Sequence, residues 1–277
     1  HTHFTDMKTD MCVNIACLGL RVKKFKHYRS SFGSFGTIKK FFARLCYRSW
    51  NAVICVSPHI MREAESNIVS CKPVLLNDAV YFLRMDNYKK LCKPDLGVPE
   101  SAVLCFAIGY DYRLKGIDLA CEAVKKLRDE GLNIYLAVCT ASNTQTIAEQ
   151  IRAQFGEFPE WLKLLPPRQD IASYYRAADI YIQASRSEGF CYAIVEAAYC
   201  GKTVVASDCP GMKSHAEKNF DFLWFKNGDS DSLSEKLGQA VKMSESSELS
   251  AKNRRSAIDN YSIENMSKKL YRIYADM

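Results

Sequence analysis

Apolar and polar positions alternate most regularly in the C-terminal two thirds of the chain. Strand-sized apolar runs at 103–108, 133–139, 162–165, 179–183, 203–207 and 222–225 are separated by helix-sized stretches such as 117–130 and 170–178. That alternation predicts a parallel sheet covered on both faces, an α/β arrangement in which ligands bind beyond the carboxyl ends of the strands. From Cys191 to Cys200 every residue but Glu196 is apolar or aromatic. The run predicts a helix buried on nearly all sides, with one carboxylate inside it that needs a partner.

Before residue 101 the pattern is looser. Residues 6–20 predict a helix closed at Gly19, followed by a short basic strand at 21–25 and a loop at His27-Tyr28-Arg29-Ser30-Ser31. His1-Thr2-His3-Phe4 reads as the end of a strand. Residues 37–50 carry Ile38, Phe41, Phe42 and Leu45 at helical spacing, with Lys39, Lys40, Arg44 and Arg48 on the remaining surface. A strand at 52–57, a helix at 58–66 and a strand and turn at 72–78 follow. Residues 79–94 lack a clean period and are expected to connect two domains, and 232–277 read as two or three amphipathic helices.

Charge changes this picture. There is no Asp or Glu between Met11 and Arg62, while that stretch holds ten Lys or Arg. Removing those ten from the 38 basic residues leaves 28 against 31 acidic, so the net charge of +7 belongs to the N-terminal part. Two readings stay open for 37–50: an ordinary surface helix, or an interfacial helix whose cations meet anionic lipid headgroups. A nucleic-acid partner is not expected, because no base-reading motif accompanies the local charge.

At 277 residues, 48% hydrophobic and 25% charged, the chain has the make-up of a globular protein. No apolar run is long enough to cross a bilayer. Twelve cysteines without a C-x-x-C pair, mostly in apolar runs, favour reduced core thiols and a cytoplasmic protein over a disulfide framework or a zinc site. The Gly201-Lys202-Thr203 triplet is not a P-loop, since Glu196 stands where the first glycine belongs. The glycine-containing stretch at 31–36 is not a dinucleotide fingerprint.

Candidate chemistry gathers at two places. Ser185-Arg186-Ser187-Glu188-Gly189-Phe190 forms a turn ahead of the buried helix, where unsatisfied backbone N–H groups suit an oxygen-rich or phosphate ligand. Glu188 and Glu196 therefore flank the start of one helix. The alternative for Glu196 is a structural ion pair with an Arg or Lys elsewhere. The second place is the loop after the 103–108 strand, Gly109 to Gly116, with Arg113 and Lys115.

Glu188-Gly189-Phe190, Glu196-Ala197-Ala198 and the strand 201–207 resemble the E-x7-E region of retaining glycosyltransferases of family 4, which have the GT-B fold. The resemblance implies a Rossmann-like nucleotide-sugar donor domain at 96–260. It also implies the second half of an acceptor-side Rossmann-like domain at 1–78, a connection at 79–95, and a C-terminal helix at 261–277 that packs back on the N-terminal part.

In roles, the resemblance assigns Lys115 and Arg113 to the donor diphosphate, with Gly109 in the same loop. Glu196 takes the ribose hydroxyls, Glu188 the donor sugar's hydroxyls, and the backbone at Gly189, Phe190 and Cys191 lies along the donor. His27 corresponds to an acceptor-side histidine, unless it is a solvated side chain of the basic loop. The loops 140–142 and 166–170 would contact the nucleobase. Neither cofactor nor metal is expected. The implied partners are a nucleotide sugar and a glycan or lipid-linked acceptor of surface polysaccharide synthesis, met at the inner face of a membrane through the basic 21–48 region.

Three departures stand against the family pattern. Asp78 replaces a glycine, the spacing of Arg113 to Lys115 differs from the adjacent Arg-Lys of some members, and 212–217 lacks a cleanly matching Glu. With the first half of the acceptor domain absent from this sequence, the chain is expected to be a fragment of a longer enzyme. The alternatives are a nucleotide-sugar-binding module inactive by itself, or a basic binding protein with a decayed transferase domain.

Overall fold

The structure, a computed structural model, describes residues 7–29, 36–67, 71–141, 143–243 and 247–276, without the side chains of Lys39 and Ser247. The strand end expected at 1–4, the loop residues Ser30 and Ser31, positions 31–35 and Ser142 lie outside the described residues. The chain forms two compact units. One comprises the segment up to Ala79 with Glu188–Phe190 and the segment from Ile263 onward; the other comprises Val80–Ser187 and Cys191–Ser262.

The first unit runs α1 (Met7–Ala16), β1 (Phe25–Tyr28), α2 (Thr37–Tyr47), β2 (Ala52–Cys55), α3 (Pro58–Asn67) and β3 (Lys72–Leu75), and ends with a helix at Ile263–Ala275. Its three strands are parallel in the order β1-β2-β3, with Phe25 opposite Ala52 and Ala52 opposite Lys72. Phe25, Ala52, Ile54 and Leu76 form a small apolar core, onto which Met266, Leu270, Ile273 and Tyr274 of the last helix pack.

The basic strand expected at 21–25 is displaced: pairing begins at Phe25, and His27 and Tyr28 belong to β1 rather than to a loop. Arg21, Val22 and Lys23 are exposed, whereas Phe25, Lys26, His27 and Tyr28 are all buried. A lysine can occupy this strand because Asp10 of α1 meets its Nζ at 2.7 Å, both side chains being fully buried. The Tyr47 hydroxyl also donates to Asp10 and stands 2.8 Å from that of Tyr28. Burial of an ion pair is tolerated only with such complete hydrogen bonding.

Helix α2 also departs from expectation. Its C-terminal end at Tyr47 falls short of residue 50, and the face it packs inward is Ala43, Cys46 and Tyr47. Ile38, Phe41, Phe42 and Leu45 point away, 45–75% exposed.

The second unit contains α4 (Leu83–Asp86), β4 (Val103–Ile108), α5 (Ile117–Asp129), β5 (Ile134–Cys139), α6 (Thr144–Phe155), β6 (Leu162–Leu165), α7 (Ala172–Ala177) and β7 (Ile180–Gln183). It continues with α8 (Tyr192–Tyr199), β8 (Thr203–Ser207), α9 (Pro210–Lys213), β9 (Leu223–Phe225), α10 (Ser230–Met243) and α11 (Ser247–Tyr261). All six expected strands form, parallel, in the order β6-β5-β4-β7-β8-β9.

Both faces of this sheet are covered, which is why its strands read as continuous apolar runs. Leu136, Val138 and Val205 pack with Val124 and Leu127 of α5 and Leu233 and Leu237 of α10. On the other face Phe106 lies 5.3 Å, ring to ring, from Tyr175 of α7. Each such side chain contributes about 1.5–3 kcal/mol on burial.

The Gly201-Lys202 pair that imitates a P-loop ends α8. Gly201 has φ +76°, and the N–H groups of Gly201 and Lys202 close on Ala198 and Ala197, a C-terminal cap. The Lys202 ammonium is spent on the carbonyls of Ala178 and Arg176, at 2.7 and 3.1 Å.

Candidate active site

The strand order reverses beside β4. The chain leaves β4 for β5 and β6, then returns on the other side as β7, so a crevice is left where the carboxyl ends of β4 and β7 adjoin. Strand β4 delivers the loop 109–116, and β7 delivers Ala184 to Ser187.

Close backbone approach holds these loops together. Gly116 has φ +65°, and a Cβ built on it would lie 2.0 Å from the carbonyl oxygen of Ala184, so a side chain is excluded twice over. Gly109 is similarly enclosed by Ile117 and Lys115, with a Cβ meeting Ile117 Cδ1 at 2.8 Å. Asp111 Oδ1 accepts from the backbone N–H groups of Arg113 and Leu114, at 3.1 and 2.7 Å, which shapes the turn that presents Arg113.

Arg186 then staples one loop to the other. It is bidentate to Asp118 of α5 at 2.8 and 2.8 Å, donates to the Arg113 carbonyl, and its N–H reaches the Leu114 carbonyl at 2.9 Å. Asp118 is buried, and its Oδ2 also accepts from Arg113 Nη1 at 2.7 Å. The Arg113 side chain remains 73% exposed. Lys115 Nζ stands 5.1 Å from the centre of the Tyr110 ring, a cation–π contact. Three cations, Arg113, Lys115 and Arg186, thus gather on the loop pair, with Arg113 and Arg186 fixed by Asp118.

Glu196 sits on the second turn of α8, 8% exposed. The partner left open by the sequence is Arg84 of α4, whose Nη2 lies 2.7 Å from Oε1, with the Tyr175 hydroxyl 3.1 Å from Oε2. Burial raises the pKa of Glu196, against the opposing effects of Arg84 and Tyr175. Helix α4 is fastened to α8 nearby: Phe82 stacks on Tyr199 at 4.4 Å, and the Tyr199 hydroxyl donates to Asp86 at 2.7 Å. A cleft of about 640 Å³, within the usual range for ligand sites, is lined by Arg84, Tyr81, Tyr88 and Lys89 together with Gln169 and Asp170 of the expected nucleobase loop. In that loop Arg168 holds Asp170 through two 2.8 Å bonds, so the Asp170 pKa lies well below the usual carboxylate range. Thr140, of the other expected base loop, is buried with its hydroxyl 2.5 Å from that of Thr144.

Other candidate residues fall as follows. Glu188, Gly189 and Phe190 belong to the first unit, while Cys191 caps α8 in the second. Cys191 has φ +69°, a left-handed conformation unusual for a residue with a side chain. His27 is fully buried in β1, its Nε2 3.6 Å from Asp78, so it is not a solvated loop residue. Asp78, standing where the family has glycine, is buried and also accepts from Arg29 Nε at 2.8 Å. Sequence reasoning missed Arg84, Asp118, Tyr175 and Arg186. Only Arg186 carried a signal, its place beside Glu188; Arg84 lay in a stretch without periodicity.

Against known proteins, the family model described as glycosyl transferases group 1 matches residues 90–260, more than half of the chain. The chain belongs to the glycosyl transferases group 1 family. It is 38% identical over 73 residues to the N,N'-diacetylbacillosaminyl-diphospho-undecaprenol alpha-1,3-N-acetylgalactosaminyltransferase of Campylobacter jejuni, covering 26% of this chain and 19% of that one. It is 35% identical over 132 residues to the D-inositol 3-phosphate glycosyltransferase of Geodermatophilus obscurus, covering 43% and 29%. The chain therefore spans less than a third of the length of these two relatives.

This group 1 chain superimposes on HepE of Anabaena in complex with UDP with a TM-score of 0.83 at 15% identity, covering 98% of this chain and 77% of that one. On a glycosyltransferase from Rickettsia africae the TM-score is 0.78 at 17% identity, covering 100% and 83%. The fold is of the GT-B type, and the second unit is its C-terminal Rossmann-like domain.

Proposed function

We propose that the second unit binds a nucleotide-diphosphate sugar at the carboxyl ends of β4 and β7. On this reading the protein transfers the sugar, with retention, to a glycan or lipid-linked acceptor of surface polysaccharide synthesis, as a family 4 enzyme. The observation that carries the reading is the stapled loop pair, which gathers Arg113, Lys115 and Arg186 at the switch point of the sheet while Glu196 is held inside the adjoining helix.

Arg113 and Lys115 stabilise the diphosphate as its charge develops, assisted by backbone N–H groups around Gly189, Phe190 and Cys191. Gly109 lets the loop lie close. Glu196 accepts from the ribose hydroxyls, the loops at 140–142 and 166–170 meet the base, and Glu188 orients the donor sugar. The bond from the anomeric carbon to the diphosphate oxygen breaks as the acceptor oxygen bonds to the same face. The acceptor proton passes to the departing diphosphate, so no enzyme carboxylate forms a covalent intermediate. His27 serves the acceptor side. The proposal assigns no metal to the step. A lipid-linked acceptor would be met at the inner face of a membrane, through the basic region 21–48.

Calorimetric titration with UDP, GDP and their sugar conjugates tests the donor site. UDP comes first because the HepE structure holds UDP. One nucleotide is expected to bind, and Lys115→Ala and Glu196→Ala are each expected to weaken it by about 10- to 100-fold, the worth of a hydrogen bond to a charged group. Binding indifferent to both substitutions, or no binding of any nucleotide, would sink the reading.

A further inference from the structure

An ionised carboxylate offers about four lone-pair sites to donors. On the buried Glu196 each oxygen has one partner: Arg84 Nη2 stands 2.7 Å from Oε1, and the Tyr175 hydroxyl 3.1 Å from Oε2. Acceptor capacity is left over on both. The two partners differ in kind. Tyr175 is fully buried, and burial pushes its pKa well above the usual tyrosine value, so it orients one oxygen without bringing charge. Arg84 brings the charge. Its side chain is 53% exposed and lines the 640 Å³ cleft beside Tyr81, Tyr88 and Gln169. Helix α4 that carries it is short but anchored, since Met85 is fully buried and Phe82 stacks on Tyr199.

Other ionisable groups packed around α8 are engaged elsewhere. Asp86 of α4 accepts from the Tyr199 hydroxyl at 2.7 Å, from Arg254 of α11 at 3.4 Å and from Arg176 of α7 at 3.5 Å. Arg254 also donates to the Tyr199 carbonyl at 3.0 Å. Lys202 is turned to the carbonyls of Ala178 and Arg176. The Tyr181 hydroxyl of β7 donates to Gln183 at 2.5 Å. Burial pushes the Cys200 thiol up to about 11, so it carries no charge at neutral pH. Arg84 is therefore the cation that acts directly on Glu196, lowering a pKa that burial raises.

We infer that Arg84 is a positioning residue, which holds the buried Glu196 ionised and aimed so that the remaining acceptor sites of its carboxylate receive the vicinal hydroxyls of a ribose. The ribose part rests on the donor reading, whereas the hold of Arg84 on Glu196 needs no ligand.

Two measurements on the full chain test it. Without ligand, carbon-13 NMR of glutamate-labelled protein follows the Glu196 carboxyl from roughly pH 4 to pH 9, its signal assigned by its loss in Glu196→Gln. The midpoint is expected to move to higher pH in Arg84→Ala and to stay near the native position in Arg84→Lys, because a single Nη2 contact can be replaced by an ammonium.

Calorimetric titration with UDP and GDP, each beside its dideoxyribose form that lacks the diol, gives the second. Arg84→Ala should weaken the nucleotide that binds by about 10-fold below neutral pH, and by less as rising pH ionises Glu196 unaided. The dideoxy form should bind equally to native chain and variant, and in a Glu196→Gln background Arg84→Ala should add nothing. A Glu196 midpoint unmoved by Arg84→Ala, nucleotide binding that tightens in that variant, or equal weakening of the nucleotide and its dideoxy form overturns the inference. A native chain that binds neither nucleotide sinks the donor reading and the ribose role with it, while a moved midpoint would still establish the hold of Arg84 on Glu196.

Discussion

The two units of this protein treat polarity in opposite ways. In the six-stranded unit apolar residues are inside: Leu136, Val138, Val205, Val124 and Leu237 are all fully buried around one sheet. In the three-stranded unit Lys26, Asp10 and His27 are fully buried, and Asp78 nearly so, while Ile38, Phe41, Phe42 and Leu45 face outward. A large sheet covered on both faces can fill its interior with aliphatic side chains alone. A small unit with one short sheet is organised instead by a hydrogen-bonded ion pair, which leaves its apolar helix face available for another surface. The six-stranded unit also holds paired polar groups inside, Glu196 with Arg84 and Tyr175 among them.

That contrast can be broken most forcefully at Lys26. Lys26→Ala leaves Asp10 buried without its cation and should cost about 3–5 kcal/mol by urea denaturation, whereas Lys26→Met combined with Asp10→Leu should recover most of the loss. A cost below about 1 kcal/mol from the single substitution would show that the pair does not organise the first unit.

Gly116→Ala comes next. A left-handed φ at an alanine and a Cβ against the Ala184 carbonyl should together cost about 3 kcal/mol and abolish nucleotide binding. Full stability in this variant would mean that the two loops separate easily.

Glu196 sharpens the comparison through pH. Its folded-state pKa lies above the ordinary 4.5 because burial outweighs Arg84 and Tyr175. A raised carboxylate pKa means that the native chain holds this proton more firmly than the unfolded chain does. The contribution of Glu196 to stability therefore falls as pH rises from the unfolded value through the folded one. Melting curves across that range should show the fall removed in Glu196→Gln and deepened in Arg84→Ala, the latter costing about 1–2 kcal/mol at neutral pH. Identical pH profiles for the three proteins would discard the coupling.

Smaller effects are expected at the two remaining sites. Cys191→Gly relieves a left-handed side-chain-bearing residue and should stabilise by about 0.5 kcal/mol, the strain relief exceeding the added chain entropy. Ile38→Ser and Phe41→Ser, although large apolar-to-polar changes, should each alter stability by no more than about 0.5 kcal/mol, because nothing in the described residues covers that face. A loss of several kcal/mol would place these side chains in a core after all.

Much of the second unit was legible. Each of the six strands appeared as an apolar run because parallel strands are buried on both sides, and the 191–200 helix appeared because its one acid interrupts an apolar stretch. The loop at 109–116 was legible from its glycines and cations. What escaped were partnerships between positions far apart in the chain: Arg84 with Glu196, Arg186 with Asp118, Lys26 with Asp10. No local period marks such pairs, since each is made by elements that meet only after folding.

The sequence by itself determined the six strands of the second unit and its buried 191–200 helix, the place of the cation-bearing loop at 109–116, and the concentration of positive charge before residue 62. These depend on local spacing and composition, which the chain carries before it folds. Tertiary structure alone decided which side of α2 faces outward, where β1 starts, and which cations the buried carboxylates receive. Those outcomes depend on burial and on low-dielectric pairing, and neither has a value until the elements are packed.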